Sequence, residues 1–207
     1  MQLHTKRIDL SLDRMMPVAQ RMDLLTFDCP VITVAGTNGK GSSVTALEAM
    51  YSAAGYHVGC YTSPELLHFC ERIRVGQQAI SETALLQAFQ EVESARANTT
   101  LSFFEFTTLA AFFVFKYSDI DVLVLEVGLG GRLDTVNVID ADIAIITSIG
   151  LDHTEFLGND RATIAREKAG IMRCGRPVIC GDQDPPTSIQ QMANQVGATL
   201  LQLNKAF

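Results

Sequence analysis

The segment at residues 36–42, Gly-Thr-Asn-Gly-Lys-Gly-Ser, has the residue types of a phosphate-binding loop. It follows the apolar stretch Val31–Ala35 and precedes an alanine-rich stretch with helical character. Glycines let backbone N–H groups approach an anion closely, a helix N-terminus presents free donors, and Lys40 adds a positive charge. The common P-loop has glycine and serine or threonine where this chain has Val34 and Gly41. The segment therefore predicts either a shortened phosphate loop or an ordinary turn between a strand and a helix.

Polar side chains that follow other apolar stretches could complete such a site. Glu126 ends the run VLVLE, Ser63 comes after a second run, and His153 after a third. Carboxylate and hydroxyl oxygens are ligands that Mg²⁺ prefers, and an acid at a strand end can hold it. Each residue also has a simpler interpretation. Glu126 could cap a helix or pair with Arg132, Ser63 could belong to a Ser-Pro turn, and His153 could be structural.

Two helical segments carry further candidates. Lys168 lies near the end of the predicted helix Arg161–Ala169, where the helix dipole alone stabilises a cation. Phe103, Phe104 and Phe106 begin an apolar helix. Such aromatic rows usually belong to a core, although one ring could stack on a flat heterocycle.

Composition excludes several classes of protein. The chain has 207 residues, of which 47% are hydrophobic, so it is long enough for one domain with a real core and is not disordered. A net charge of −7 argues against a nucleic-acid partner. The apolar run at residues 109–115 is too short to cross a membrane. Five scattered cysteines without a CxxC pair predict reduced thiols, so we expect a cytoplasmic protein.

Segments with strand and helix patterns alternate along the chain, which predicts a three-layer α/β/α P-loop domain with a mostly parallel sheet. Ligands of such folds bind at the C-terminal ends of the strands. Pro17 interrupts a helical pattern at residues 10–25, so this helix is expected to be broken or to begin at Pro17. The predicted strands are residues 31–35, 58–62, 122–127, 143–148, 178–180 and 199–203. The predicted helices are residues 42–54, 82–96, 105–117, 161–169 and 187–195.

Seven motifs in this order resemble one family. They are GTNGKGSS, YTSP, ERIRV, FFEFTT, LEVGLGGRLDTVN, TSIGLDHTEFLG and IAREKAGI, and they are spread over most of the chain. The chain resembles the N-terminal ATPase domain of bacterial dihydrofolate synthase/folylpolyglutamate synthases, within the Mur ligase superfamily. GTNGK alone is shared with the ligases that build the cell wall, whereas EVGLGGRLD favours the folate enzymes.

This resemblance implies an ATP-dependent ligase that joins L-glutamate to dihydropteroate or folate through an acyl phosphate. The expected cofactors are ATP and Mg²⁺, with two metal ions. The resemblance assigns the ATP phosphates to Gly36, Thr37, Asn38, Gly39, Lys40, Gly41 and Ser42. It assigns Mg²⁺ to Ser63, Glu126 and His153. It assigns the pterin substrate to Ser102, Phe103, Phe104, Glu105, Leu133, Asp134 and Thr135. The expected catalytic residues are Lys40, Asp134, His153 and Lys168.

Lys168 matches a lysine that CO₂ carbamylates in the family. Carbamylation converts a cation into an anion, which can orient a second Mg²⁺. One departure from the family pattern lies beside the metal position, because Glu65 stands where the family has histidine after Ser-Pro.

The family also has a second, smaller domain that supplies adenine, ribose and glutamate contacts. We therefore expect residues 1–207 to form a single N-terminal ATP-binding domain, without that second domain, and to be a monomer. Two alternatives stay open at this point. One is a ligase for a nucleotide-linked peptidoglycan precursor, against which the FFEF and GGRLD segments argue. The other is a non-catalytic remnant that still binds nucleotide.

Overall fold

The computed structural model of the chain describes residues 10–207. Eight strands form one sheet. In chain order they are β1 (Val31–Ala35), β2 (Val58–Tyr61), β3 (Ile73–Val75), β4 (Gln78–Ala79), β5 (Val122–Glu126), β6 (Ile143–Ile146), β7 (Pro177–Cys180) and β8 (Thr199–Gln202). Across the sheet the order is β4, β3, β2, β5, β1, β6, β7 and β8.

The six strands from β2 to β8 across this sheet are parallel, and β3 runs antiparallel to both β2 and β4. In the central pairs, Val34 lies opposite Glu126 on one side and Ile145 on the other. The carboxyl ends of β5, β1 and β6 therefore meet at one edge of the sheet, as the pattern of the sequence predicts.

The central strands are buried on both faces. Along β1, Ile32 and Val34 pack into a cluster with Val44 of the following helix, whereas Val31 and Ala35 belong to the second, larger cluster. This separation follows from the two-residue period of a strand, and it confirms a layered α/β fold with a mostly parallel sheet. The helices are α1 (Met15–Arg21), α2 (Lys40–Ala53), α3 (Glu82–Arg96), α4 (Phe103–Lys116), α5 (Thr154–Leu157), α6 (Arg161–Ala169) and α7 (Thr187–Val196).

Some predicted boundaries were wrong. Helix α1 begins at Met15 and continues through Pro17, which is its third residue. Proline is tolerated there because N–H groups in the first turn lack intrahelical acceptors. The sequence patterns also missed β3, β4 and α5, which have three, two and four residues. Within residues 10–207, no helix is long and apolar enough to cross a membrane.

Candidate nucleotide, metal and substrate site

The phosphate loop leads directly into α2. Gly39 is the N-cap of this helix and has a φ of 84°, which suits glycine, so the helix begins at Lys40, two residues earlier than predicted. The Lys40 ammonium donates to the carbonyls of Gly36 at 3.0 Å and Thr37 at 3.2 Å. The lysine charge is therefore held directly at the loop, where free N–H groups of the helix start also collect.

Residues that follow β6 fasten this loop in place. The Thr37 N–H donates to the Ser148 carbonyl at 2.8 Å, and the Asn38 N–H donates to the Ser148 hydroxyl at 3.1 Å. The Thr147 hydroxyl donates to the Asn38 carbonyl at 2.7 Å. The Gly150 N–H donates to the Thr37 hydroxyl at 2.9 Å. These contacts could not be predicted from local sequence patterns, because they join segments about 110 residues apart.

Glu126 ends β5 beside the start of α2. Its carboxylate accepts the Ser63 N–H at 3.2 Å, and both its oxygens lie beside Gly41. Burial raises the pKa of Glu126, whereas the Ser63 N–H and the positive charge of Lys40 counteract this shift. Arg132, the alternative partner suggested by the sequence, instead pairs with Glu167 at 3.0 Å. Glu126 therefore faces the phosphate loop.

Ser63 and Glu126 supply oxygen donors that fit Mg²⁺. His153 lies apart from their contact, exposed at the N-cap of α5, with Nε2 3.7 Å from an Asp152 oxygen. Among residues 10–207, no three His, Cys, Asp or Glu side chains are grouped in a way that could hold a metal ion. The structure thus places the Glu126 carboxylate against the backbone N–H of Ser63, and it places His153 on the wall of a cavity that Ser63 also lines.

Lys168 is buried, with only 3% of its surface exposed. Burial and, to a smaller extent, the nearby charge of Lys40 lower its pKa to about 8, against the opposing effect of Asp152. The backbone of Gly131 packs against the backbone of Lys168, where a side chain on Gly131 would come within 3 Å. The GGRLD and EKAGI segments thus fit together because this position is glycine. Lys168 shares the wall of a small cavity with Gly36, Lys40 and His153.

A larger cavity of about 380 Å³ lies next to this small cavity and shares His153 with it. Six of the seven residues predicted to bind a pterin line it, and the exception is Glu105. The lining residues are Leu10, Ser63, Pro64, Arg72, Ser102, Phe103, Phe104, Gly128, Leu129, Leu133, Asp134, Thr135 and His153.

Glu105 and Ser102 have a structural role at the start of α4, which begins two residues earlier than predicted. The Ser102 hydroxyl accepts the Glu105 N–H, and the Glu105 carboxylate accepts the Ser102 N–H at 2.6 Å. This reciprocal arrangement is a capping box. The Arg14 guanidinium also donates to the buried Glu105 carboxylate at 3.0 Å. The Glu105 carboxylate is therefore engaged away from the cavity.

Asp134 organises one wall of the cavity. Its carboxylate accepts the Leu129 N–H at 2.7 Å and the Val136 N–H at 3.0 Å. Burial raises the pKa of Asp134 to about 6, against the effect of these N–H donors. The Phe104 ring packs against Gly128 in the same wall. An acceptor and an aromatic ring thus border one space, as the family resemblance implies for a flat heterocycle.

Arg72 is a cavity residue that sequence reasoning missed. Its guanidinium lies 5.1 Å from the Phe69 ring centre and 5.7 Å from that of Phe103, and it pairs with Glu65 at 2.5 Å. Glu65, the departure from the family pattern, is therefore engaged by a cation of the ERIRV motif. Charged and apolar residues alternate from Arg72 to Val75 of that motif, but this alternation did not indicate which side chain faces the cavity.

The family model for the Mur ligase middle domain matches residues 34–203, which include every residue of the phosphate loop. This chain belongs to the Mur ligase family. The dihydrofolate synthase/folylpolyglutamate synthase of Escherichia coli K12 is 50% identical over 198 residues, which are 96% of this Mur ligase chain and 47% of that protein. The protein of the same name from Haemophilus influenzae is 45% identical over 193 residues, covering 93% of this chain and 44% of that protein.

Solved structures of folate enzymes share the fold of this Mur ligase chain. A structure of E. coli FolC in complex with DHPP and ADP is 49% identical, with a TM-score of 0.97, and the match covers 99% of this chain and 49% of that one. A bifunctional folylpolyglutamate synthase/dihydrofolate synthase from Yersinia pestis, complexed with AMPPNP and Mn ion, is 48% identical. Its TM-score is 0.94, with coverage of 99% and 50%. The chain thus spans about half the length of the relatives it matches.

Proposed function

We propose that this chain is the ATP-binding part of a ligase that adds L-glutamate to dihydropteroate, to folates, or to both. In this reaction a substrate carboxylate oxygen attacks the γ-phosphorus of ATP and ADP leaves, which gives an acyl phosphate. The glutamate amine then attacks the acyl carbon through a tetrahedral intermediate. An amide bond forms, phosphate leaves, and the amine loses a proton.

The observation that carries the proposal is the connection between the two cavities. The larger one, with Phe104 and Asp134, and the smaller one, with Lys40 and Lys168, share Gly128, Leu129 and His153 as wall residues. A molecule whose flat end occupies the larger cavity would direct its other end toward Lys40. Such proximity between a carboxylate and a phosphate is what acyl phosphate formation requires.

The loop at residues 36–42 is proposed to hold the ATP phosphates. Its free N–H groups and the Lys40 charge suit an anion at the start of α2. We assign Mg²⁺ to Ser63, Glu126 and His153; the backbone N–H of Ser63 donates to the Glu126 carboxylate, so these two residues are neighbours. When bound, Mg²⁺ would neutralise charge that develops on the phosphate oxygens. The AMPPNP and Mn ion of the Yersinia pestis structure support this assignment for a similar protein.

The substrate end of the proposal rests on Phe104 and Asp134. Phe104 offers an aromatic face, and Asp134 has acceptor capacity beyond its two backbone donors for the N–H groups of an aminopyrimidine edge. Phe103, Leu133 and Thr135 complete this part of the wall, together with Ser102. The DHPP complex of E. coli FolC supports a pterin-bearing substrate. Glu105 contributes to this proposed substrate site only indirectly, because it caps α4, the helix that begins at Phe103.

The nucleotide assignment is tested with Lys40→Ala. Loss of a charge-assisted contact costs about 1.5–3 kcal/mol, so titration calorimetry with the Mg²⁺ complex of a non-hydrolysable ATP analogue should show roughly ten- to hundredfold weaker binding. Lys116→Ala serves as the control, because Lys116 lies at the end of α4 and bonds the Thr26 carbonyl. Equal affinities for a folded Lys40→Ala variant and the control would refute the assignment.

A further inference from the structure

Arg74, in the ERIRV motif, connects three parts of the molecule. From β3, its Nε and Nη2 donate to the Glu48 carboxylate, and the shortest of these contacts is 2.9 Å. Its Nη1 donates to the Thr62 hydroxyl at 3.0 Å and to the Glu71 carbonyl at 3.2 Å. The ion pair between Arg74 and Glu48 is largely buried, with 19% of the Arg74 side chain and 7% of the Glu48 side chain exposed.

The two ends of this connection lie in two different segments, helix α2 and the segment that carries Ser63. Glu48 is part of α2, the helix that begins at Lys40 of the phosphate loop. Thr62 immediately precedes Ser63, whose N–H donates to Glu126. Arg74, Ser63, Glu126 and Gly41 also line one cavity of about 230 Å³. The guanidinium therefore spans the gap between the helix of the phosphate loop and the segment that carries Ser63.

We infer that Arg74 and Glu48 form a positioning pair that sets the distance between the phosphate loop and Ser63. The inference rests on the proposed nucleotide and metal site. A planar guanidinium fixes a carboxylate by two parallel bonds, so it defines an orientation as well as a distance. A lysine in its place would keep the charge and lose that geometry. Neither Arg74 nor Glu48 is one of the proposed metal ligands, so the pair acts through the segments that it joins.

A purely structural ion pair would give a different result from a positioning pair. Breaking an ion pair of either kind would lower the melting temperature, because one charge stays buried without its partner. A positioning pair must in addition affect the metal-dependent part of nucleotide binding. Groups that orient metal ligands typically contribute 10- to 100-fold to metal affinity. The informative quantity is therefore the ratio of nucleotide affinities with Mg²⁺ and with EDTA.

The test compares the 207-residue chain with its Arg74→Lys and Glu48→Gln variants, using a non-hydrolysable ATP analogue. Calorimetry well below the melting temperature should show that each variant weakens binding about tenfold with Mg²⁺ but leaves binding in EDTA unchanged. The double variant should be no weaker than either single variant, because both remove the same coupling. Arg176→Lys is the matched control. Arg176 immediately precedes β7 and pairs with Asp142 at 3.0 Å.

Hydrogen exchange provides a second measurement without nucleotide. In Arg74→Lys, amides at residues 62–71 should exchange faster, whereas those of β5 should be unchanged. The inference is overturned if affinities with Mg²⁺ and EDTA fall equally, or if exchange rises without loss of the Mg²⁺-dependent affinity. Wild-type chain and control that bind no nucleotide would refute the proposed function and this inference with it. Normal Mg²⁺-dependent binding in all variants would refute the inference alone.

Discussion

Lys40 and Lys168 show how surroundings give the same residue type two chemistries. The Lys40 ammonium donates to two loop carbonyls beside the start of a helix, and we propose it as the positive charge for the phosphates. Lys168 is buried near it, and burial together with the Lys40 charge lowers the pKa of Lys168 to about 8. A lysine that is partly neutral near physiological pH is a nucleophile rather than a fixed cation. The structure therefore gives a physical reason for the carbamylation that the family resemblance implies.

Carbamylation of Lys168 can be tested directly. Only the neutral amine attacks CO₂, forming a carbamate anion and releasing a proton. With a lowered pKa, about half of Lys168 is neutral near pH 8, whereas less than about 1% of an ordinary lysine is. At constant dissolved ¹³CO₂, we expect a carbamate resonance that grows as the pH rises through about 8. It should vanish in Lys168→Arg and persist in Lys116→Arg. A resonance that survives Lys168→Arg would assign the carbamate elsewhere.

The position of a single residue could be predicted from the sequence where the residue stands at the end of a strand. Glu126 follows directly from the end of an apolar run, and the structure places it beside the phosphate loop. Glu105 was predicted to face the substrate, yet it caps α4 and contacts Arg14, a residue 91 positions away. The spacing of Ser102 and Glu105 is that of a capping box, so this half of the result was available from the sequence. The contact with Arg14 was not, because tertiary contacts leave no local pattern.

The longer, buried elements could be predicted from the sequence, whereas the shortest ones could not. The runs that became β1, β5 and β6 are continuous and apolar because both faces are covered. Strand β4 at the sheet edge has only two residues and its neighbour β3 has only three, which is too short for an alternating pattern to indicate a strand. Strand β3 matters for the site, since it carries Arg74 toward Glu48. The part of the fold that was hardest to predict thus supports the proposed metal position.

Asp182, which is buried, joins the segments that follow β6 and β7. Its carboxylate accepts the Ile149 N–H at 2.6 Å and the Asp184 N–H at 2.9 Å, and it pairs with Arg161 at 3.2 Å. Ile149 lies in the segment that fastens the phosphate loop and leads to His153. This contact therefore stabilises the connection between two elements and supports the site through them.

We predict that Asp182→Ala lowers the free energy of unfolding. The buried Ile149 N–H would lose its acceptor, which costs about 1–3 kcal/mol. For a chain of this size, each kcal/mol corresponds to a shift of about 2–4 °C in melting temperature. Asp184→Ala is the control, because Asp184 also pairs with Arg161, at 3.7 Å, but its side chain is 99% exposed. Calorimetric unfolding of both variants checks the prediction, and equal stabilities would contradict it.

At the scale of the whole molecule, the candidate site is extended. Along residues 10–207, the phosphate loop, Glu126, Lys168 and the larger cavity all lie at the carboxyl edge of one sheet. Asn38, Gly39 and Ser42 of the loop are exposed to solvent on its outer side. The chain also spans about half the length of its relatives. We expect the remaining contacts to nucleotide and glutamate to come from a second body of protein, as the family resemblance implies.

A polypeptide limited to residues 1–207 should therefore form no dihydrofolate from dihydropteroate, L-glutamate and ATP. Ligation needs the acyl phosphate and the amine in near-attack geometry, which supplies several kcal/mol of barrier reduction, and it needs closure that excludes water. We expect at most slow release of phosphate, because water can reach the exposed loop. Adding the C-terminal half of a folate relative, fused or in trans, should restore amide formation, measured by mass spectrometry of the pterin product. Efficient glutamate ligation by residues 1–207 alone would contradict this prediction and would locate the amine site on the surface described here.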